Sequence, residues 1–385
     1  VGLGEIGLRV AQNAVRAGCS VAGIETDRAR ADQLRRAGVA FEIFLSLMPG
    51  VFDATLICVP TWAPRGIGMK TVLSVAEGLA AVAGRGELIA IESTVALGAT
   101  AELIAPVFRR RGLEPGRDVF IVSSPERIDV TLEWDQRVIP KLVGGVTPRC
   151  TERGVAVYTA LGIPAVPVNG SAVAEAAKLL ENAFRLVNIS FVDEIAEVLE
   201  ARGVDYRDVL DAAATKPFGF MPFSPGAGAG GHCVPSAARA LALAADECGA
   251  NAPTLNAANR SNNRSAERVL QQLRRRDLPA GGRVLVMGAA YKSYASSLVE
   301  SPGIKLANYL DRQGYGVTMS CRTRPPKRSL RPSVNCVSPD ALEGKFDAVC
   351  VTAWEEDFEN VLTRIEARTV LDFTRDADGV FACKS

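Results

Sequence analysis

The order of segments in this 385-residue chain predicts an α/β protein: two doubly wound domains joined by a central helical domain with one long helix. Three observations carry that expectation. The chain opens on a glycine-rich turn followed by helix-like and strand-like segments. Apolar strand-like runs then alternate with helix-length segments in both its first and its last part. Between them, from Ser171, the apolar period changes to that of a helix.

The opening, Gly2-Leu-Gly4-Glu-Ile-Gly7, has the spacing GxGxxG. Such hexapeptides are common, so the context decides. An apolar helix-like run (Val10, Ala11, Ala14, Val15) follows, then a strand-like run at 20–24, then Glu25. Glycines let a pyrophosphate approach a helix N-terminus, and an acid about 20 residues on holds the adenosine ribose hydroxyls, the Rossmann-like arrangement. A carboxylate at Glu25 would repel a 2′-phosphate, which favours NAD over NADP, although Arg28 and Arg30 stand nearby in sequence. The abrupt start at Val1 predicts that most of the first strand is absent.

Further strands are expected at 54–59, 89–91 and 119–122 and imply a parallel sheet, with ligands beyond the carboxyl ends of the strands. Pro60-Thr61, Glu92-Ser93-Thr94 and Ser124-Pro125-Glu126 fall at those ends, where each also reads as ordinary turn or cap chemistry. From Ser171, the spacing of Ala174, Ala177, Leu180, Phe184, Val187, Phe191 and Ile195 predicts one long amphipathic helix. Lys178 and Asn182 share a face of it. By itself Lys178 reads as a solvated surface residue. Near a thiol, a basic group there could steady an oxyanion. After further helical sequence to about Arg276, a linker at 278–282 leads into a second alternating unit with strands at 283–287, 316–320, 348–352 and 369–373. The predicted domains are 1–168, 169–277 and 278–385.

Composition narrows the chemistry. Hydrophobic content of 48%, charged content of 23% and a net charge of +1 supply no electrostatic case for nucleic acid or a membrane surface. No apolar run approaches the roughly 20 residues that span a bilayer. Nine cysteines without a CxxC pair, and His232 as the single histidine, leave no zinc-site spacing and no disulfide framework. A reducing, cytoplasmic setting follows. One cysteine stands out: Cys233 closes Pro225-Gly-Ala-Gly-Ala-Gly-Gly-His-Cys-Val-Pro235. Small residues let such a loop press its backbone on a ligand. Alone, the loop reads equally well as a flexible linker containing a buried, inert thiol.

Taken together, the motifs resemble the UDP-glucose/GDP-mannose dehydrogenase family of nucleotide-sugar 6-dehydrogenases along essentially the whole chain. The likeness is strongest to its UDP-N-acetylhexosamine branch. It rests on Gly2-Leu-Gly-Glu-Ile-Gly7, Ile57-Cys-Val-Pro-Thr61, Glu92-Ser-Thr94 and Ser124-Pro-Glu-Arg127. It continues through Ala174-Glu-Ala-Ala-Lys-Leu-Leu-Glu-Asn182, the AATKPFGFMPF run at 213–223, Gly230-Gly-His-Cys233, Tyr291-Lys292 and Glu300-Ser-Pro302. The resemblance implies NAD-dependent, four-electron oxidation of a sugar C6 alcohol to a carboxylate. It places Cys233 as nucleophile, Lys178 and Asn182 as the oxyanion-stabilising pair, and Glu126 as general base with Thr94 ordering water. It places Gly2, Gly4, Gly7, Glu25, Pro60, Thr61 and Thr94 around the cofactor. It places Phe218, Gly230, Gly231, Lys292 and Arg375 around a UDP-sugar. A homodimer formed through the central helix is implied as well.

This chain also departs from the family pattern. Ala237 stands where the family carries an aspartate beside the nucleophile, Arg239 and Ala240 replace two tyrosines, and Val299 replaces an arginine that assists cofactor binding. A second reading rests on these losses, a nucleotide-sugar-binding relative with impaired or no catalysis. A two-electron hydroxyacid dehydrogenase, the third, would have no need for Cys233.

Overall fold

The computed structural model describes residues 1–50, 52–128, 138–295 and 297–374. It divides into two compact units, Val1–Glu181 and Asn182–Ser385.

The first unit opens with α1 (Glu5–Arg16), β1 (Ala22–Ile24), α2 (Arg28–Arg36), β2 (Glu42–Phe44) and β3 (Ala54–Ile57). A hairpin of β4 (Trp62–Ala63) and β5 (Gly66–Ile67) leads to α3 (Lys70–Val82) and β6 (Leu88–Ile91). After α4 (Ala105–Arg109) come β7 (Phe120–Ser123), β8 (Lys141–Gly145), α5 (Pro148–Ala160), β9 (Ala165–Pro167) and the start of α6 (Ser171–Ala201). Local chemistry explains several starts. Asp27 caps α2 by accepting from the N–H groups of Ala29 and Arg30. Thr147 caps α5, with Pro148 at its first turn.

Strands β3-β6-β7-β8-β9 form one sheet and β1-β2 a parallel pair. The opening residues lie between the two sets, since Gly2 N–H donates to Ile24 O and Cys58 N–H to Val1 O, both at 2.8 Å. The order across the unit is therefore β2, β1, residues 1–2, β3, β6, β7. The connection reverses direction between residues 1–2 and β3, where such sheets bind ligands. Every residue of β6 is buried, as expected of a central strand covered on both faces. Two strands, β8 and β9, depart from the all-parallel expectation. β8 runs antiparallel to β7, and it brings Lys141 to the sheet's ligand end.

In the second unit, α7 (Tyr206–Ala214), α8 (Val234–Glu247), α9 (Pro253–Asn263) and α10 (Ser265–Arg275) follow the rest of α6. An all-parallel sheet then contains β10 (Arg283–Met287), β11 (Gly316–Ser320), β12 (Asn335–Val337), β13 (Gly344–Val351) and β14 (Ile365–Asp372). Its order, β12-β11-β10-β13-β14, has a switch point between β10 and β13. The period-2 alternation of β10 splits its side chains between two cores. Val284 and Val286 pack with Leu306 and Leu310 of α11 (Pro302–Arg312), and Leu285 and Met287 with Phe358 and Val361 of α12 (Phe358–Arg364).

The long helix is present, but the expected stripe is not its buried face. Leu180, Phe184 and Phe191 are 64%, 46% and 58% exposed. The buried side instead carries Ala174, Leu179, Ala183 and Leu186 together with Glu175, Lys178, Asn182, Ser190 and Asp193. Small residues let this side pack closely, and Glu175, Ser190 and Asp193 on it bond to residues distant in sequence.

Candidate active site

In the first unit the opening glycines form a tight turn at the start of α1. Gly2 has φ +83°, and a Cβ on Gly7 would stand 1.8 Å from Gly2 O, so only glycine fits there. At Gly4 an added Cβ would meet nothing within 4 Å, which leaves open space at the N-terminus of α1. Glu25, just past β1, accepts from Leu3 N–H at 3.1 Å and Asp27 N–H at 3.0 Å, so its carboxylate is fixed beside that turn. A helix N-terminus, room for an anion and a fixed carboxylate fit NAD. Arg30, a worry for that preference, is turned to Leu3 O and Gln33. At the neighbouring strand ends Thr61 Oγ1 donates to Thr94 O at 2.7 Å, joining the loops that carry both residues, while Pro60 is exposed beside Thr61.

Glu126 belongs to a buried polar network that spacing alone does not reveal. Its Oε1 accepts from Arg127 N–H (2.7 Å) and Ile128 N–H (3.0 Å), and its Oε2 from Lys141 Nζ at 3.1 Å. Lys141 also donates to Glu92 and to Ser124 O, and Tyr158 O–H donates to Glu92. Burial pushes the Glu126 carboxyl up, but the Lys141 charge and the backbone N–H groups outweigh it and hold the pKa below the usual carboxylate range. Burial likewise pulls the Lys141 ammonium down, and Glu92 and Glu126 reverse that, so the lysine stays charged. Burial raises Glu92. A lysine opening an otherwise apolar strand, KLVGG, was the available signal for this network.

Lys178 is buried on α6, against its reading as a solvated residue, because that face of the helix turns inward. One turn earlier, Glu175 accepts from Gly98 N–H at 2.7 Å and Thr100 N–H at 2.9 Å, which ties the helix to the loop that follows Thr94.

In the second unit Asn182 is buried and Cys233 is an exposed, free thiol at the N-cap of α8. Partners distant in sequence hold the glycine loop that presents it. Asp193 Oδ1 accepts from Gly226 N–H at 2.9 Å, and its Oδ2 pairs with Arg268 at 2.5 Å. Asn262 grips Ala229 on both sides, accepting from its N–H at 2.7 Å and donating to its C=O at 3.0 Å. Gly231 N–H donates to Val299 O at 2.9 Å. A Cβ on Gly230 would meet Glu300 O at 2.7 Å, and one on Gly231 would meet the Tyr291 ring at 2.8 Å. The structure therefore brings Gly230 and Gly231, just ahead of Cys233, against the segment carrying Tyr291 and Lys292. That segment leaves the carboxyl end of β10, at the switch point of this sheet.

Phe218 is 71% exposed, with Lys216 Nζ 5.0 Å from its ring centroid. Arg239 pairs with Glu300 at 2.9 Å, and Lys305 reaches the same carboxylate. Ala237 is fully buried in the first turn of α8, and Val299 serves the loop through its carbonyl. Arg375 lies outside the described residues. Neither Asp193 nor Asn262 belongs to a motif, and an acid on an apolar helix was the one visible hint of either.

A dinucleotide-type turn in the first unit fits an NAD-binding fold, and the second unit by itself presents a glycine-loop cysteine beside the switch point of its own sheet. Comparison with known proteins is specific. Residues 45–162 match the NAD binding domain of the UDP-glucose/GDP-mannose dehydrogenase family and residues 172–264 its central domain. The chain belongs to this family of NAD-dependent nucleotide-sugar dehydrogenases. It is 27% identical over 405 residues to the NDP-N-acetyl-D-galactosaminuronic acid dehydrogenase of Ralstonia solanacearum, an alignment covering 97% of this chain and 94% of that one. It is 35% identical over 240 residues to the UDP-N-acetyl-D-glucosamine 6-dehydrogenase of Pseudomonas aeruginosa, covering 60% of this chain and 56% of that one. The solved UDP-N-acetyl-mannosamine dehydrogenase of Staphylococcus aureus has the same fold, with TM-score 0.79 at 21% identity, covering 97% of this chain and 93% of that one.

Proposed function

We propose that this protein oxidises the C6 alcohol of a UDP-N-acetylhexosamine, or a related UDP-sugar, to the uronic acid, with Cys233 as covalent nucleophile. The observation that carries this reading is the presentation of Cys233. It is an exposed thiol at a helix N-terminus, on a loop fastened by Asp193, Asn262 and Val299. The N-acetylhexosamine class is supported by the names of full-length relatives. Regions 1–168, 169–277 and 278–385 are assigned to cofactor binding, dimerisation with the catalytic loop, and UDP-sugar binding. A cytoplasmic homodimer fits this assignment.

NAD, held by Gly2, Gly4, Gly7 and Glu25 with Pro60, Thr61 and Thr94 alongside, supplies the hydride acceptor for both oxidations. After the first, Cys233 Sγ bonds to the aldehyde carbon and gives a thiohemiacetal, whose oxyanion Lys178 and Asn182 stabilise. Loss of the second hydride leaves a thioester. Water then adds to the carbonyl carbon as Glu126 takes its proton, with Thr94 helping to order that water. The C–S bond breaks, and uronate and thiol are released. Phe218, Gly230, Gly231, Lys292 and Arg375 hold the UDP-sugar. Covalent capture keeps the aldehyde from escaping between the two oxidations.

Ala237 and Val299 favour one competing reading, a sugar-nucleotide binder with impaired catalysis, and the same experiment separates the two. An active enzyme releases two NADH per sugar oxidised, with no aldehyde trapped by hydroxylamine. Cys233→Ser should abolish uronate formation and leave UDP-sugar binding within a few-fold, because backbone rather than thiol holds the ligand. One NADH per sugar with a trapped carbonyl, or undiminished turnover by the serine variant, overturns the thioester mechanism. Binding without any NADH production leaves the impaired-binder reading standing.

A further inference from the structure

Glu126 is surrounded by more charge than a surface-fed base needs, and the excess sits beneath it. An ionised carboxylate offers about four acceptor sites. Among the described residues, Arg127 and Ile128 N–H groups take two on Oε1 and Lys141 Nζ takes one on Oε2. Counted over the described residues, one site is left, on Oε2. We propose that Lys141 is a positioning residue for the Glu126 base, keeping it ionised and leaving a single oxygen lone pair to receive the proton, while Glu92 and Tyr158 lock the lysine in place. The proposal rests on the assignment of Glu126 as base made above.

The geometry assigns each part. Lys141 side chain is 5% exposed and Glu92 side chain 0%, so neither reaches solvent to find another partner. Besides Glu126 the ammonium has Glu92 and Ser124 O to bond, which uses its three protons. Tyr158 on α5 fills the second oxygen of Glu92, and its ring lies 5.6 Å from Lys141 Nζ. Four elements thus meet at one cation: the end of β6, the end of β7, the start of β8, and α5. Among the described residues, the other titratable side chain acting on this cluster is the Cys58 thiol after β3, pushed up to about 12 by burial and so neutral. The Arg127 guanidinium is turned away, to Glu181 at 2.6 Å and Pro140 O. Lys141 is therefore the cation that balances Glu126, and Glu92 is the like charge that competes for it.

A lysine serving only stability, and one that positions a base, predict different pH profiles. With Lys141→Met, Glu126 loses its cation and keeps a like charge nearby. The acid limb of the kcat profile should move up by at least one pH unit, so kcat should fall about tenfold or more at pH values on that limb. KM for NAD and for the sugar should stay within threefold, and the acyl adduct on Cys233 should accumulate in the mass spectrum. Lys141→Arg should restore most of the rate. Glu92→Gln removes the competitor and should move the same limb down. It keeps the cation, and so carries the test if the methionine variant fails to fold. Wild-type limbs in both Lys141→Met and Glu92→Gln overturn the proposal. Glu126→Gln is the separate control on the base itself. Should it hydrolyse the acyl-enzyme at the parent rate, the base assignment fails. The hold of Lys141 on Glu126 is then read from the titration of the Glu126 carboxyl by carbon-13 NMR, where an unmoved midpoint in Lys141→Met overturns that hold as well.

Discussion

At the scale of single residues, the clearest constraint is steric. Gly7 lies inside α1, where alanine would ordinarily gain about 1 kcal/mol of helix propensity. Here its Cβ would stand 1.8 Å from Gly2 O, so the gain cannot be realised without moving the turn proposed to hold NAD. Gly7→Ala should therefore weaken NAD binding at least tenfold while UDP-sugar binding stays at the parent level, both read by calorimetry. Equal loss of both ligands would point to general unfolding, and unchanged NAD affinity would remove these glycines from the cofactor site. Ala237 shows the same logic in reverse. It is fully buried, so the aspartate that the family pattern carries there could not be restored without a donor to receive it.

At the scale of elements, the Cys233 loop depends on α6 and α9 more than on its own sequence. Its glycines keep it pliant, and Asp193 and Asn262 supply the order. Burial pushes the Asp193 carboxyl up to about 6, against the pull of Arg268 and of Gly226 N–H. An unfolded aspartate titrates near 3.9. Between about pH 4 and pH 6 the folded chain therefore holds a proton that the unfolded chain has released, and this group's contribution to stability falls as pH rises through that window. Asp193→Asn has no such proton. The melting temperature of the variant minus that of the parent should climb from pH 4 to pH 6 and then level off. A difference that stays flat across the window would show that the carboxyl titrates normally. The asparagine oxygen can still accept from Gly226, so the variant should keep measurable turnover.

At the scale of the whole molecule, α6 leaves an apolar stripe exposed on the single chain. Phe184, Phe191 and Val198 are spaced by seven residues, with Leu180 one turn before the first of them, and all four are exposed. Spacing of this kind places side chains along one seam of a helix. Burying one such side chain contributes about 1.5–3 kcal/mol, enough in sum to support association with a second copy. Phe191→Glu should convert a dimer to a monomer in sedimentation equilibrium at micromolar concentration, with the melting temperature of the monomer little changed at 58% exposure of the parent side chain. A variant that sediments as the parent does would move the interface elsewhere.

What the sequence determined by itself was whatever depends on neighbours along the chain. Continuous apolar runs marked the central strands, for example the fully buried Leu88–Ile91, because a strand covered on both faces must be apolar throughout. The glycine spacing marked the turn, and Glu25 followed at the distance one helix and one strand require. The unbroken run from Ala174 to Pro235 marked the family. Tertiary structure alone decided which side of α6 turns inward, and it chose the side with alanines and polar groups over the more apolar one. It also decided that Lys141 lies between Glu92 and Glu126, that Asp193 and Asn262 hold the cysteine loop, and that residues 1–2 bridge β1 and β3. Each of these joins groups from separate elements. A buried charge or amide is stable only where its partners converge, and no periodicity along one segment records where another segment's donors will arrive.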